Sequence, residues 1–115
     1  MKIGISSTGQ DLESDIDMRF GRCPYFLIID IKEGAITATK SIENTQADRK
    51  SATGPAVAQL IADQNVDGIL TGNIGPRALS VLQQFSIPVY EAHGSKRDGI
   101  QQFIQGKCPI FSEVT

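Results

Sequence analysis

The stretch Gly68-Ile69-Leu70-Thr71-Gly72-Asn73-Ile74-Gly75-Pro76-Arg77-Ala78-Leu79 decides the fold. The short apolar run Gly68 to Leu70 predicts a strand, and apolar residues then return at Ala78, Leu79, Val81, Leu82 and Phe85 with helical spacing. Between them two glycines permit a tight turn and a close approach of ligand to backbone. Pro76 suits the first helical position, where its missing N–H costs nothing. The segment therefore reads as strand, glycine loop and helix, with bare N–H groups at the helix start. Such a start favours an anion, and Arg77 sets a permanent positive charge beside it. No Gly-Lys-Ser/Thr follows, so the motif is not a P-loop.

Periodicity extends this unit in both directions. Met1, Ile3 and Ile5 open a first strand, and Tyr25 to Ile31 is a longer apolar run expected of a strand covered on both faces. Lys32-Glu33-Gly34 predicts a turn into Ala35 to Ile42, where Ile36 and Ala38 alternate with Thr37 and Thr39 as in the half-exposed second strand of a hairpin. Glu43 to Thr53 is polar and reads as a loop. Gly54-Pro55 starts a helix bearing Val57, Leu60 and Ile61, expected to end near Asn65. A short strand follows at Pro88 to Glu91, and a third helix begins after Ser95, whose hydroxyl and Asp98 form a pair resembling a capping box. The tail 107–115 has no assignment. The order β-β-β-α-β-α-β-α ends in a βαβ unit, which demands two parallel strands in one sheet.

Composition sets limits on function. The chain has 115 residues, 40% of them hydrophobic, which suits one globular domain with a single core. A formal net charge of −2 argues against a general nucleic-acid binder. Neither a signal peptide nor a run of the ~20 apolar residues needed for a membrane span is present, so the expectation is a cytoplasmic protein without membrane contact. Cys23 and Cys108 are far apart and form no C-x-x-C, so neither a disulfide scaffold nor a zinc ribbon is indicated.

Parallel sheets bind ligands at the carboxyl ends of their strands. Thr71 to Pro76 must lie there, with the loop carrying His93 after the last strand and the loop Ser6 to Arg22 after the first. If the second strand runs antiparallel to the first, Cys23 also falls on this rim. Gly106-Lys107-Cys108-Pro109-Ile110-Phe111 echoes Gly21-Arg22-Cys23-Pro24-Tyr25-Phe26, but the third helix should carry Cys108 away from the rim, so the echo is read as coincidence. Asp11, Glu13, Asp15 and Asp17 alternate like the opening of a calcium loop. Ile16 stands where that loop needs Gly and Arg22 where it needs Glu, so a solvated acidic loop, able to act as a mobile cover, is the better reading.

Arg19-Phe20-Gly21-Arg22-Cys23-Pro24-Tyr25-Phe26 resembles the R-F-G-R-x-P-Y-F segment of the dinitrogenase iron–molybdenum cofactor biosynthesis family, the NifX-like proteins. Thr71 to Ala78 resembles that family's second signature, and Ser51-Ala52-Thr53-Gly54 its small, glycine-rich lead-in to the first helix. The resemblance spans Met1 to Gly106. It implies an α/β, ribonuclease-H-like single domain over 1–115, with a core of about 1–106, three helices and a five-stranded mixed sheet in which strand 2 is antiparallel. It further implies a role in binding iron–sulfur precursors and passing them between cluster-assembly or cluster-accepting proteins. Nitrogenase-associated members often carry His before the Phe-Gly pair; Arg19 stands there, which points to the broader branch of the family.

Cluster chemistry asks for thiolates or imidazole within a cationic, N–H-rich surround. Cys23, flanked by Arg19 and Arg22, is the best single candidate ligand, because nearby cations lower a thiol pKa; its alternative reading is a small buried hydrophobe. His93, the single histidine, is the second candidate metal ligand, with a solvated loop residue as its alternative. One Cys and one His do not complete a four-ligand site, so a bound iron–sulfur or metal–sulfur cluster would be labile or shared. Thr71, Gly72, Asn73, Ile74, Gly75, Arg77, Arg19 and Arg22 complete the expected cofactor-binding set. The first strand, Lys2-Ile3-Gly4-Ile5-Ser6-Ser7, offers no carboxylate for two-metal hydrolysis, and neither G-x-S-x-G nor H-E-x-x-H occurs. The sequence thus predicts a non-enzymatic carrier. A binding module for a small anionic metabolite or phosphate, or a protein-interaction domain, is the alternative.

Overall fold

The computed structural model describes residues 1–47 and 53–111. The elements are β1 (Lys2–Ser7), β2 (Tyr25–Lys32), β3 (Ala35–Glu43), α1 (Thr53–Ala62), β4 (Gly68–Thr71), α2 (Pro76–Gln84), β5 (Val89–Glu91) and α3 (Lys96–Ile104). They form one five-stranded sheet in the order β3-β2-β1-β4-β5. β2 is antiparallel to β1 and β3, whereas β1, β4 and β5 are parallel neighbours, so the expected mixed α/β sheet with an antiparallel second strand is present. Of the expected lead-in to α1, Ser51 and Ala52 lie outside the described residues, as do the end of the preceding loop and residues 112–115 of the tail.

Strand parity divides the core into two layers. Phe26, Ile28, Ile69 and Val89 face Val57, Ala58 and Ile61 of α1 and Ala78, Leu79 and Leu82 of α2. Ile3, Ile5, Leu27, Ile29 and Leu70 face Ile100 of α3 and Ile16 of the loop after β1. Each fully buried aliphatic side chain contributes about 1.5–3 kcal/mol, so the central strands carry most of the driving force. α1 ends at Ala62 rather than near Asn65; Asn65 turns left-handed (φ 58°) and donates its N–H to the Ala62 carbonyl. Ser95 caps α3, accepting the Asp98 N–H at 3.2 Å.

Two details depart from the expected pattern. In β3 the register shifts opposite Asp30 and Ile31, so that Ile31 pairs with Ile36 and Asp30 with Ala38. Thr37 is the extra residue of a bulge. Because one residue of slip exchanges faces, Ile36 packs in the α3 layer and Ile42 in the α1–α2 layer, and simple alternation fails along this strand. The unassigned tail, in turn, pairs with β5: the Glu91 N–H reaches the Pro109 carbonyl (2.8 Å) and the Phe111 N–H the Val89 carbonyl (2.8 Å). A short antiparallel segment thus covers the β5 edge.

Candidate functional site

The carboxyl ends of β1, β4 and β5 meet at one edge of the sheet, and polar bonds knit them together. Ser6 Oγ lies 2.8 Å from both the Asp17 carbonyl and Thr71 Oγ1, and the Thr71 hydroxyl donates to the Asn73 carbonyl (3.2 Å). The loop after β1 is stitched to the loop after β4 by Gly72 N–H to the Asp17 carbonyl (3.3 Å) and Phe20 N–H to the Asn73 carbonyl (3.2 Å). The Thr71, Asn73 and Gly75 carbonyls and the Gly72 amide are therefore engaged within the protein. The next amides are not: among the described residues no acceptor meets the N–H groups of Asn73, Ile74, Gly75 or Arg77. Gly75 caps α2 without a side-chain bond and Pro76 follows at the first helical position, so the positive end of the helix is open. The exposed Arg77 stands beside it.

Arg19 and Arg22 border an open groove of about 400 Å³ with Pro24, Tyr25, Glu43, Asn44 and Ala47. Arg19 forks onto the buried Asp17 carboxylate, Nε to Oδ1 at 3.2 Å and Nη2 to Oδ2 at 3.3 Å, and its own N–H meets Oδ1 at 2.8 Å. The hydrogen bond and charge of Asp17 raise the Arg19 pKa still further. Its charge is thus largely answered within the protein. Arg22 donates Nη1 to the Ala47 carbonyl at 3.0 Å. Of the three expected arginines, Arg77 keeps the charge most available to a ligand.

Cys23 faces the core, not the rim. Its side chain is 0% exposed in the α1–α2 layer, beside Phe20 and Phe26, and its thiol donates to the Phe20 carbonyl at 3.4 Å. The expected lowering of its pKa by neighbouring arginines is reversed: burial pushes it up to about 12, against weaker opposing help from the Ser7 N–H. Arg19 is turned to Asp17 instead. Strand alternation would have put Cys23 with Tyr25 and Leu27, but the irregular backbone at Cys23-Pro24 breaks the alternation. Cys108 packs in the α3 layer, on the other side of the sheet, so the two sulfurs share no site and the echo of the two motifs is coincidental. Among the described residues no three His, Cys, Asp or Glu side chains gather in a way that would hold a metal ion.

His93 does reach the rim. Its Nε2 lies 2.8 Å from Glu91 Oε2, and its Nδ1 lies 3.0 Å from the sulfur of Met18, a residue the sequence reading passed over. Met18 sits directly on Gly72: a Cβ there would come within 2.8 Å of the Met18 Cα and 2.7 Å of its sulfur. The glycine is therefore required for close approach of the two loops, beyond any turn it makes. The only sequence cue to Met18 is an apolar residue set between Asp17 and Arg19 in a polar loop.

The loop after β1 is tied down rather than a mobile cover. Ser7 bridges to Ile16 and Asp15 to Ser95. Lys96, fully buried, points its ammonium at the Ser7 hydroxyl (2.8 Å), the Ser14 carbonyl (2.6 Å) and the Ser14 hydroxyl. Burial lowers its pKa, opposed by Asp11, Asp15 and Glu13 around it. Three of the four alternating acids thus surround a lysine, and the fourth, Asp17, is held by Arg19.

The rim thus combines unmet backbone donors with the paired His93 and Glu91 on the parallel-strand edge of a small α/β domain. Comparison with known proteins agrees. Residues 1–106 match the family described as dinitrogenase iron–molybdenum cofactor, and the chain belongs to it. An uncharacterized protein of Methanocaldococcus jannaschii is 41% identical over 93 residues, 80% of this chain and 79% of that one. Among solved structures, the apo form of the orange protein from Desulfovibrio gigas is 27% identical with a TM-score of 0.89, covering 97% of this chain and 93% of that one. A Thermotoga protein provisionally named NifB is 31% identical with a TM-score of 0.81, covering 99% and 96%. Family and neighbours point to an accessory or carrier role in cofactor biosynthesis.

Proposed function

We propose that the protein is a non-enzymatic carrier of an anionic iron–sulfur or metal–sulfur precursor, held at the rim chiefly by charge and backbone donors and handed on to cluster-assembly or cluster-accepting proteins. The observation that carries this reading is the row of unpartnered amides at Asn73, Ile74 and Gly75, next to the open N-terminus of α2 and Arg77. Sulfide-rich clusters carry net negative charge, and N–H donors and cations stabilise them without forming bonds to the metal. Membership of a family described as dinitrogenase iron–molybdenum cofactor supports this class of cargo. A buried, protonated Cys23 acts in this scheme as packing under the rim, and the ligand role expected of it would require the thiol to leave its layer. Weak, non-thiolate retention suits a molecule that must release what it carries.

The test is anaerobic reconstitution with iron and sulfide, followed by gel filtration and visible absorption. Retained chromophore in the wild type and in Cys23→Ser, with about tenfold less in Arg77→Glu, is the expected result. A colourless wild type overturns the cluster reading. The same amides would also suit a small anionic metabolite or phosphate; thermal stabilisation by inorganic phosphate that is reduced in Arg77→Ala would select that second reading.

A further inference from the structure

The geometry points to an exchangeable site for a soft monovalent metal ion, of the copper(I) class, formed by the Met18 sulfur and His93 Nδ1. The two donor atoms lie 3.0 Å apart and come from different loops, one leaving β1 and one leaving β5. A carboxylate has no proton to give, so the 2.8 Å contact with Glu91 Oε2 puts the imidazole proton on Nε2. In that tautomer Nδ1 presents a lone pair toward the thioether, itself only a weak acceptor and no donor. Two electron-pair donors facing each other this closely gain little from one another and much from a cation between them. The Glu91 carboxylate stands where the outer partner of a metal-bound histidine usually stands, orienting the ring and strengthening the nitrogen as a donor.

Placement of the sulfur is built into the fold. Met18 rests on Gly72, where no side chain would fit, and its neighbour Asp17 is fixed by N–H to the Ser6 carbonyl (2.8 Å) and by accepting the Gly72 N–H (3.3 Å). Both donors face solvent, Met18 at 53% exposure and the His93 side chain at 47%. With metal–nitrogen and metal–sulfur bonds of about 2.0 and 2.3 Å, a 3.0 Å separation gives a bite of roughly a right angle, which opens as Met18 turns about its unbranched chain. A thioether with one imidazole is a soft set that selects copper(I) over zinc or magnesium. Only two positions are filled by protein, so a thiol or sulfide from outside completes the coordination and removes the ion again. The inference does not depend on cluster binding, since the ion alone is the ligand.

The experiment is anaerobic copper(I) titration against bicinchoninate, with no iron or sulfide present, in full-length protein carrying Cys108→Ser to remove the competing half-buried thiol. Proton–carbon NMR follows the Met18 methyl and the His93 ring, and zinc(II) serves as the comparison ion. One equivalent of copper(I) is expected, shifting both sets of resonances, with affinity at least tenfold lower in Met18→Leu and in His93→Gln. Glu91→Gln should weaken binding less than either. Both donors are exposed, so these variants should fold, and unchanged backbone spectra confirm it. Equal affinity in wild type, Met18→Leu and His93→Gln, or a Met18 methyl that does not move at saturation, overturns the site.

Discussion

The loops that leave β1 and β4 start from neighbouring strands at the same sheet edge, yet they spend their polar atoms in opposite ways. After β1, most amides between Thr8 and Phe20 are answered internally: Asp11 accepts the Glu13 and Ser14 amides, Thr8 and Asp15 exchange bonds, and Lys96 reaches in from α3 to hold Ser7 and Ser14. After β4, the Thr71, Asn73 and Gly75 carbonyls are engaged while, among the described residues, the amides of Asn73, Ile74 and Gly75 stay unmet. One loop is scaffold and the other is receptor. Binding capacity in this molecule is what remains once the scaffold bonds have been made, and a rigid neighbour is what keeps those remaining donors aligned.

The largest effect that sharpens this contrast should come from Cys23, the anchor at the end of the scaffold loop. Its pKa is raised in the folded state to about 12, from a thiol value near 9, so its contribution is fully present below pH 9 and is lost as pH rises through 12. Denaturant titrations across that window should show stability falling by on the order of 4 kcal/mol, at about 1.36 kcal/mol per pH unit of separation, with this component absent in Cys23→Ala. Next, Lys96→Met leaves the Ser14 carbonyl and two hydroxyls without their charged donor and should cost about 2–3 kcal/mol, with faster amide exchange across residues 8–15. A change as large from a receptor-loop surface residue would break the comparison. Gly72→Ala forces a Cβ against the Met18 backbone and should cost about 1–3 kcal/mol, with the Met18 and His93 resonances displaced together. Smallest is Arg77→Ala: stability should stay within about 0.5 kcal/mol, as for surface substitutions generally, while retention of an anionic ligand weakens by about 0.3–1 kcal/mol, the usual worth of a cation beside a dipole-bound anion. A loss of stability without a loss of binding would reverse the roles of the two loops.

Much of the fold was legible because it rests on periodicity and turn chemistry. Gly68 to Leu79 alone gave strand, loop and helix, and the apolar run at Tyr25 located the antiparallel strand β2. The rim was legible too, since parallel strands dictate where their loops gather, and both the bare amides and His93 lie there. What was not legible depends on single-residue events or on distant partners. The bulge at Thr37 exchanges the faces of β3, and no local pattern announces it. Cys23 looked activated because two arginines flank it in sequence, but Arg19 finds Asp17 and an irregular step at Pro24 turns the sulfur inward. Met18 and Lys96 owe their importance to residues 75 and 82–89 positions away. Pairings at that separation leave no periodic trace.

The segment paired along β5 has a consequence for where this domain stops. Similarity to the family runs through residue 106, whereas the sheet makes its outermost hydrogen bonds at Pro109 and Phe111. Cutting the polypeptide after residue 106 would strip the Val89 carbonyl and the Glu91 amide of their partners and leave a bare strand edge, the kind of template on which another chain adds itself. Residues 109–111 therefore occupy the hydrogen-bonding edge of the strand that carries Glu91 and leads to His93.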